Sequence, residues 1–184
     1  MIVFYVIRGG NMDIFIPDMY QKSIYSINYE KLYEDGIRCL LFDLDNTCVP
    51  YVEKVPSQKL KDLFDRLKDM GFKVIIFSNA TKKRLEPFKN GLIVDCSYSS
   101  KKPSKRKFLK VLKMFDFDLS ETAIIGDQLF TDIFGGNRVG IKTILVNPMS
   151  DKDLFVTKLF RLLEKKQYSK MKKRGILTLG KYYD

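Results

Sequence analysis

The chain has 184 residues, enough for one domain with a full hydrophobic core and short for two. Its composition is 45% hydrophobic and 30% charged with 11 Gly and 6 Pro, which excludes collagen-like, wholly disordered and disulfide-scaffold proteins, and no apolar run approaches the roughly 18–20 residues of a membrane-spanning helix. The net charge of +11 favours polyanions, phosphate esters or anionic membrane surfaces as partners, and the absence of histidine removes imidazole bases, His triads and His metal ligands together.

Residues 1–36 read as an N-terminal arm packed on the core, with a short helix near 29–33. The opening stretch has neither a cationic start nor a small-residue cleavage site, so the chain is expected to be cytoplasmic, with Met12 as an alternative start. From residue 37 onward short apolar runs alternate with helix-like segments, the pattern of βαβ units around a parallel sheet. The first strand is read over 37–42. A helix with Leu60, Phe64 and Leu67 at helical spacing follows over 56–70 and closes at Gly71. A second strand is read over 73–77, a short helix interrupted by Pro87 over 81–90, and a third strand over 92–94. The next helix spans 103–115, the fourth strand 122–125, a glycine-weakened helix 131–138 and the fifth strand 141–146. The expected architecture is α/β, a three-layer Rossmann-like sandwich on a parallel sheet of about five strands, with 37–150 as the core. Residues 151–184 are read as a final helix over 151–164 and a basic tail beyond it. From Lys158 to the end there are nine Lys/Arg against two carboxylates, which supplies +7 of the total +11.

In a parallel sheet the carboxyl ends of the strands share one edge, where ligands bind and helix N-termini favour anions. Four polar pieces stand at such ends: Asp43-Leu44-Asp45-Asn46-Thr47, Ser78-Asn79, Lys102-Pro103, and Gly126-Asp127 with Thr131-Asp132. Carboxylates gathered this closely raise one another's pKa unless a cation sits among them, and an oxygen-only set selects Mg²⁺ over zinc. Some of these residues have plainer uses. Ser78 or Asn79 could cap the following helix, Thr47 could be structural, and Gly135-Gly136 could shape a turn. Cys39, Cys48 and Cys96 are too few and too scattered for a disulfide framework, and Cys48 reads as a small buried apolar residue.

The ordered set DLDNT, SN, KP and GDQLFTD resembles the motifs of the haloacid dehalogenase (HAD) superfamily of phosphohydrolases, over residues 37–146. At one in twenty per residue type, a DxDxT pattern arises by chance about 0.02 times in such a chain, and the three further pieces in order make the likeness specific. Within the superfamily the chain is similar to subfamily IIIA and to the YqeG-type phosphatases, through IPDMYQKSIYSINYEKLYEDGI before the first strand and GDQLFTDIFGGNRVGIKTILVNP from the last motif onward. The resemblance implies catalytic roles for Asp43, Asp45, Ser78 and Lys102. Asp43 would be the nucleophile that forms an aspartyl-phosphate, Asp45 the general acid and then base, Ser78 a donor to a phosphoryl oxygen, and Lys102 the charge-balancing cation. It implies a Mg²⁺ site built from Asp43, the Asp45 carbonyl, Asp127 and, with less specificity, Asp132.

Many HAD enzymes carry a cap domain after the first motif or after the third strand. The spacing here leaves no room for one, so the site is expected to be open and to take a phosphate on something large, or to borrow a neighbouring subunit as a lid. With the basic tail, this points to a phosphate monoester on a membrane lipid and to peripheral contact with the inner face of an anionic membrane. Phosphatidylglycerophosphate is the leading substrate, since the YqeG-type group is related to phosphatidylglycerophosphate phosphatases. Two alternatives stand beside it. One is an oligomeric phosphatase for soluble small molecules. The other is a non-catalytic nucleic-acid-binding module on the same fold, motivated by the basic clusters at 101–113 and in the tail but lacking aromatic interleaving.

Overall fold

The computed structural model describes residues 13–150 and 155–184, so the expectations placed on residues 1–12 and on the start of the last helix lie outside the described residues. In chain order the elements are β1 (Met19–Gln21), α1 (Tyr29–Glu34), β2 (Cys39–Phe42), α2 (Gln58–Asp69), β3 (Lys73–Phe77) and α3 (Lys82–Leu92). They continue with β4 (Asp95–Ser97), α4 (Lys105–Phe115), β5 (Thr122–Gly126), α5 (Phe134–Val139), β6 (Lys142–Val146) and α6 (Phe155–Lys173). Among the described residues six parallel strands form one sheet in the order β1-β6-β5-β2-β3-β4.

The central strands are buried on both faces, which is why they read as continuous apolar runs. Alternate residues of β2 divide between two cores. Leu40 and Phe42 join Phe64 of α2 and Phe88 of α3, with the Phe42 and Phe64 rings 5.0 Å apart. Cys39 and Leu41 join Phe108, Val111 and Leu112 of α4, and the Phe77 and Phe108 rings lie 4.5 Å apart. Each fully buried Leu or Phe contributes about 1.5–3 kcal/mol by leaving water, so these two layers hold the sheet edge in place. α2 begins where the Ser57 side chain accepts from Leu60 N–H, and it closes before Gly71, whose φ of +91° suits glycine.

The structure corrects the expected elements in three places. The sheet has six strands rather than five, because the arm contributes β1, which pairs with β6 and is buried along its three residues. The strand expected at 92–94 lies at Asp95–Ser97. α3 runs on through Pro87 to Leu92, and Ile93 closes it in the left-handed conformation, which moves the strand three residues along. Gly135 and Gly136 shape no turn: they lie in α5, and a Cβ on Gly136 would come within 2.5 Å of Ile124 and 2.6 Å of Thr143 on the sheet.

The tail is folded. α6 continues to Lys173, Met171 and Leu177 pack against Tyr20 and Leu145, and Tyr183 forms an antiparallel bridge to Tyr20. Residues 43–57 and 98–104, where a cap would be inserted, are connecting loops too short to hold one.

Candidate active site

β2, β3 and β5 end together at Phe42, Phe77 and Gly126, so the next residue of each, Asp43, Ser78 and Asp127, reaches one rim, and all three are buried. Carboxylate oxygens of Asp43, Asp127 and Asp132 lie within 4.8 Å of one another. Asp132 arrives by a π-helical turn, Leu129–Ile133, and through a glycine: a Cβ on Gly126 would stand 2.2 Å from Asp132 Cγ. Only glycine at 126 lets that carboxylate close on the cluster.

Lys102 Nζ lies between two of these acids, donating to Asp43 Oδ1 at 2.7 Å and to Asp132 Oδ1 at 2.6 Å. Burial by itself would lower its pKa, but Asp132 and Asp43 outweigh that and hold the ammonium above the usual lysine range. Asn79 sets the position of this lysine. Its Oδ1 accepts from Lys102 N–H at 2.7 Å and its Nδ2 donates to the Lys102 carbonyl at 3.2 Å. The second motif therefore orients the third. Neither Ser78 nor Asn79 caps α3, whose N-cap is Thr81 without a side-chain bond. Ser78 Oγ accepts from Ala80 N–H at 3.2 Å, which turns the hydroxyl along the loop at the rim.

Asp127 is held on both oxygens. Thr47 Oγ1 donates to Oδ1 at 2.7 Å, and the Arg161 guanidinium pairs with Oδ2 while also donating to the Asp127 carbonyl at 2.9 Å. Arg161 is fixed in turn by Glu164 at 3.0 Å, and Glu164 accepts from Leu129 N–H at 2.6 Å. The sequence reading places both on the final helix but gives neither a role at the site. An Arg and a Glu three apart on a helix signal a pair, but nothing local names the loop that the pair binds.

Asp45 stands apart from this cluster. Its Oδ1 accepts from Arg84 Nε at 3.0 Å and Nη2 at 2.7 Å, and Arg84 also donates to the Glu53 carbonyl. Burial raises the Asp45 pKa and the Arg84 bond pulls it back. Arg84 was not foreseen from the sequence, although it lies in the first turn of the helix that follows Ser78-Asn79, where side chains point toward the strand ends.

Burial pushes Asp127 up to about 6 against the pull of Arg161, and Asp132 up to about 7 against Lys102, with Asp43 adding to both. A hard divalent cation among these oxygen donors would offset that cost, and three buried carboxylates with no imidazole fit such an ion. Cys48 adds no soft ligand, because burial and then Asp43 hold its thiol well above its usual value.

A strand-end carboxylate, a buried lysine and a carboxylate cluster on a parallel sheet are the features of a phosphatase of the HAD type. The HAD-hydrolase-like family model matches residues 100–148. "Probable phosphatase YqeG" of Bacillus subtilis (strain 168) is 35% identical over 161 residues, which is 88% of this chain and 94% of that protein. The chain belongs to the YqeG-type phosphatase family of the HAD superfamily, whose members generally use a divalent metal. "Phosphatidylglycerophosphate phosphatase 1, chloroplastic/mitochondrial" of Arabidopsis thaliana is 28% identical over 88% of this chain, and the chain spans about half (49%) of that protein. Among solved structures, a protein from Listeria monocytogenes serotype 4b shares the fold with a TM-score of 0.52 at 20% identity, covering 70% of this chain and 99% of its own.

Proposed function

We propose that the chain is a Mg²⁺-dependent phosphomonoester hydrolase that works through an aspartyl-phosphate at Asp43 and takes phosphatidylglycerophosphate as its substrate. The observation that carries the chemistry is Lys102 Nζ at 2.7 Å from Asp43 Oδ1, inside a group of three buried carboxylates. A carboxylate approaching a phosphate dianion meets repulsion, and the ammonium beside it lowers that repulsion. The Asp43 oxygen forms the bond to phosphorus as the bond to the ester oxygen breaks. Asp45 gives its proton to that departing oxygen and then accepts one from the water that cleaves the acyl phosphate. Arg84 orients its carboxyl for both steps. Ser78 donates to a non-bridging phosphoryl oxygen, and Asn79 keeps Lys102 aimed.

Asp43, Asp127, the Asp45 carbonyl and Asp132 would hold the Mg²⁺. When bound, the ion supplies charge neutralisation on the phosphoryl oxygens. Thr47 and Arg161 fix the orientation of Asp127 for that task.

The substrate reading rests on the uncapped site, which leaves space for a bulky ester, and on the named activity of the Arabidopsis relative. The basic C-terminal segment supports it, since Lys and Arg near a surface each add about 1 kcal/mol of attraction to an anionic bilayer. Among the described residues no helix is long and apolar enough to cross a membrane, so contact would be peripheral. The test is phosphate release with Mg²⁺ from a panel of lipid, sugar and nucleotide monoesters. The highest kcat/KM is expected on phosphatidylglycerophosphate, and a soluble ester cleaved about tenfold better would overturn the substrate assignment.

A further inference from the structure

We infer that the rim around the carboxylate cluster is itself a docking surface for an anionic bilayer, with Val52, Val55, Met149 and Leu162 entering the interface. This deepens the lipid reading of the same site and rests on it for the substrate alone. The four side chains are 53%, 62%, 42% and 58% exposed. Singly exposed apolar residues need no explanation, but these four stand on three separate segments, each bonded to a different residue of the catalytic edge.

Val52 and Val55 flank Glu53, whose carbonyl accepts from the same Arg84 guanidinium that holds Asp45. Met149 N–H donates to the Asn46 carbonyl at 2.8 Å. Leu162 follows Arg161, which pairs with Asp127. Each segment is thus tied to the site by a hydrogen bond or ion pair, and each of the four side chains is exposed.

Exposed cations stand on the same or adjoining segments. Lys54 sits between the two valines, Lys82 and Lys83 open α3 just past Ser78-Asn79, and Lys165 follows Leu162 on α6. Apolar tips on separate segments set among lysines suit a fluid headgroup layer, where the tips enter the acyl boundary and the ammonium groups meet lipid phosphates. The net charge of +11 adds long-range attraction to the same surface. Docked this way, the site would face phosphate monoesters projecting from the bilayer, and the bilayer would cover it where other phosphatases use a cap. The tail contributes charge, but Met171 and Leu177 are already buried in the fold.

The chain contains no tryptophan, so one introduced residue reports its own surroundings. Full-length Val55→Trp, mixed with vesicles of phosphatidylcholine and phosphatidylglycerol, should show blue-shifted emission. Ile93→Trp, at the opposite edge of the sheet and 81% exposed in the native chain, should show no shift. The combined Val52→Ser, Val55→Ser, Met149→Ser, Leu162→Ser variant should cosediment with those vesicles at least about tenfold more weakly than the native chain. Its turnover of p-nitrophenyl phosphate, which needs no surface, should persist and report a folded protein.

An unshifted Val55→Trp spectrum, or equal sedimentation of the native and combined-variant proteins, overturns the docking surface. If docking holds but vesicle-borne phosphatidylglycerophosphate releases no phosphate, the substrate assignment falls while the surface stands. If detergent-dispersed phosphatidylglycerophosphate is cleaved and neither protein sediments, the surface falls and the assignment stands.

Discussion

Asp43 and Asp45 lie two residues apart on one loop in different surroundings. Asp43 is 6% exposed and bonded to a buried ammonium, next to two further carboxylates. The Asp45 side chain is 23% exposed and faces a guanidinium that is itself near solvent. The difference teaches how one motif can place two carboxylates in two electrostatic settings. The first is locked against a buried ammonium, and the second can exchange a proton because water reaches it while burial raises its pKa.

The sharpest break of this contrast is at Asp43. Under the proposed mechanism Asp43→Asn should reduce Mg²⁺-dependent turnover of p-nitrophenyl phosphate by about 10³-fold or more, since no other group would replace the nucleophile. Residual turnover near the native rate would move the protein to the binding-module reading. Next comes Lys102→Met, expected to cost about 10²–10³-fold in kcat and several degrees in Tm, because it leaves two buried carboxylates without their cation. Pairing it with Asp132→Asn should restore much of the Tm and none of the activity, which separates fold from chemistry.

On the other side of the comparison, Arg84→Met should leave the Asp43 cluster intact and misplace Asp45. The expected loss is about tenfold for alkyl phosphates, whose leaving oxygen needs a proton, and smaller for p-nitrophenyl phosphate, whose leaving group does not. Equal losses on both esters would show that Arg84 supports the fold and not the acid. The smallest effect is thermodynamic. Protons compete with Mg²⁺ for Asp127 and Asp132, whose carboxyls are raised to about 6 and about 7, so the Tm gained on adding Mg²⁺ should be larger at pH 8 than at pH 5. EDTA should abolish both that gain and the activity.

What the sequence makes legible follows from how local each signal is. The ends of β2, β3 and β5 are short apolar runs followed by a polar motif, and Asp43, Ser78 and Asp127 can be named because each stands at such a boundary, while Lys102 is marked by the Pro103 that follows it just before a helix. The parts that escape depend on distant partners. Arg84 binds Asp45 across 39 residues, Arg161 binds Asp127 across 34, and Glu164 binds Leu129 across 35. In each case a charged residue on an amphipathic helix looks like any solvated one. β1 escapes for a related reason: three residues show no alternation, and their strand character comes from pairing with β6, more than a hundred residues later. Asn79 sits in a recognised motif, but capping a helix and clamping a lysine backbone are indistinguishable until the cluster is assembled.

The most direct test of the account is chemical trapping of the covalent intermediate. The enzyme, turning over a phosphate ester with Mg²⁺, is quenched and reduced with borohydride, which converts an acyl phosphate on aspartate to homoserine, and the modified residue is located by mass spectrometry. Homoserine at position 43, absent when substrate is omitted, is the predicted result; modification at Asp45, Asp127 or Asp132 in its place, or no substrate-dependent modification during measurable turnover, would contradict the mechanism.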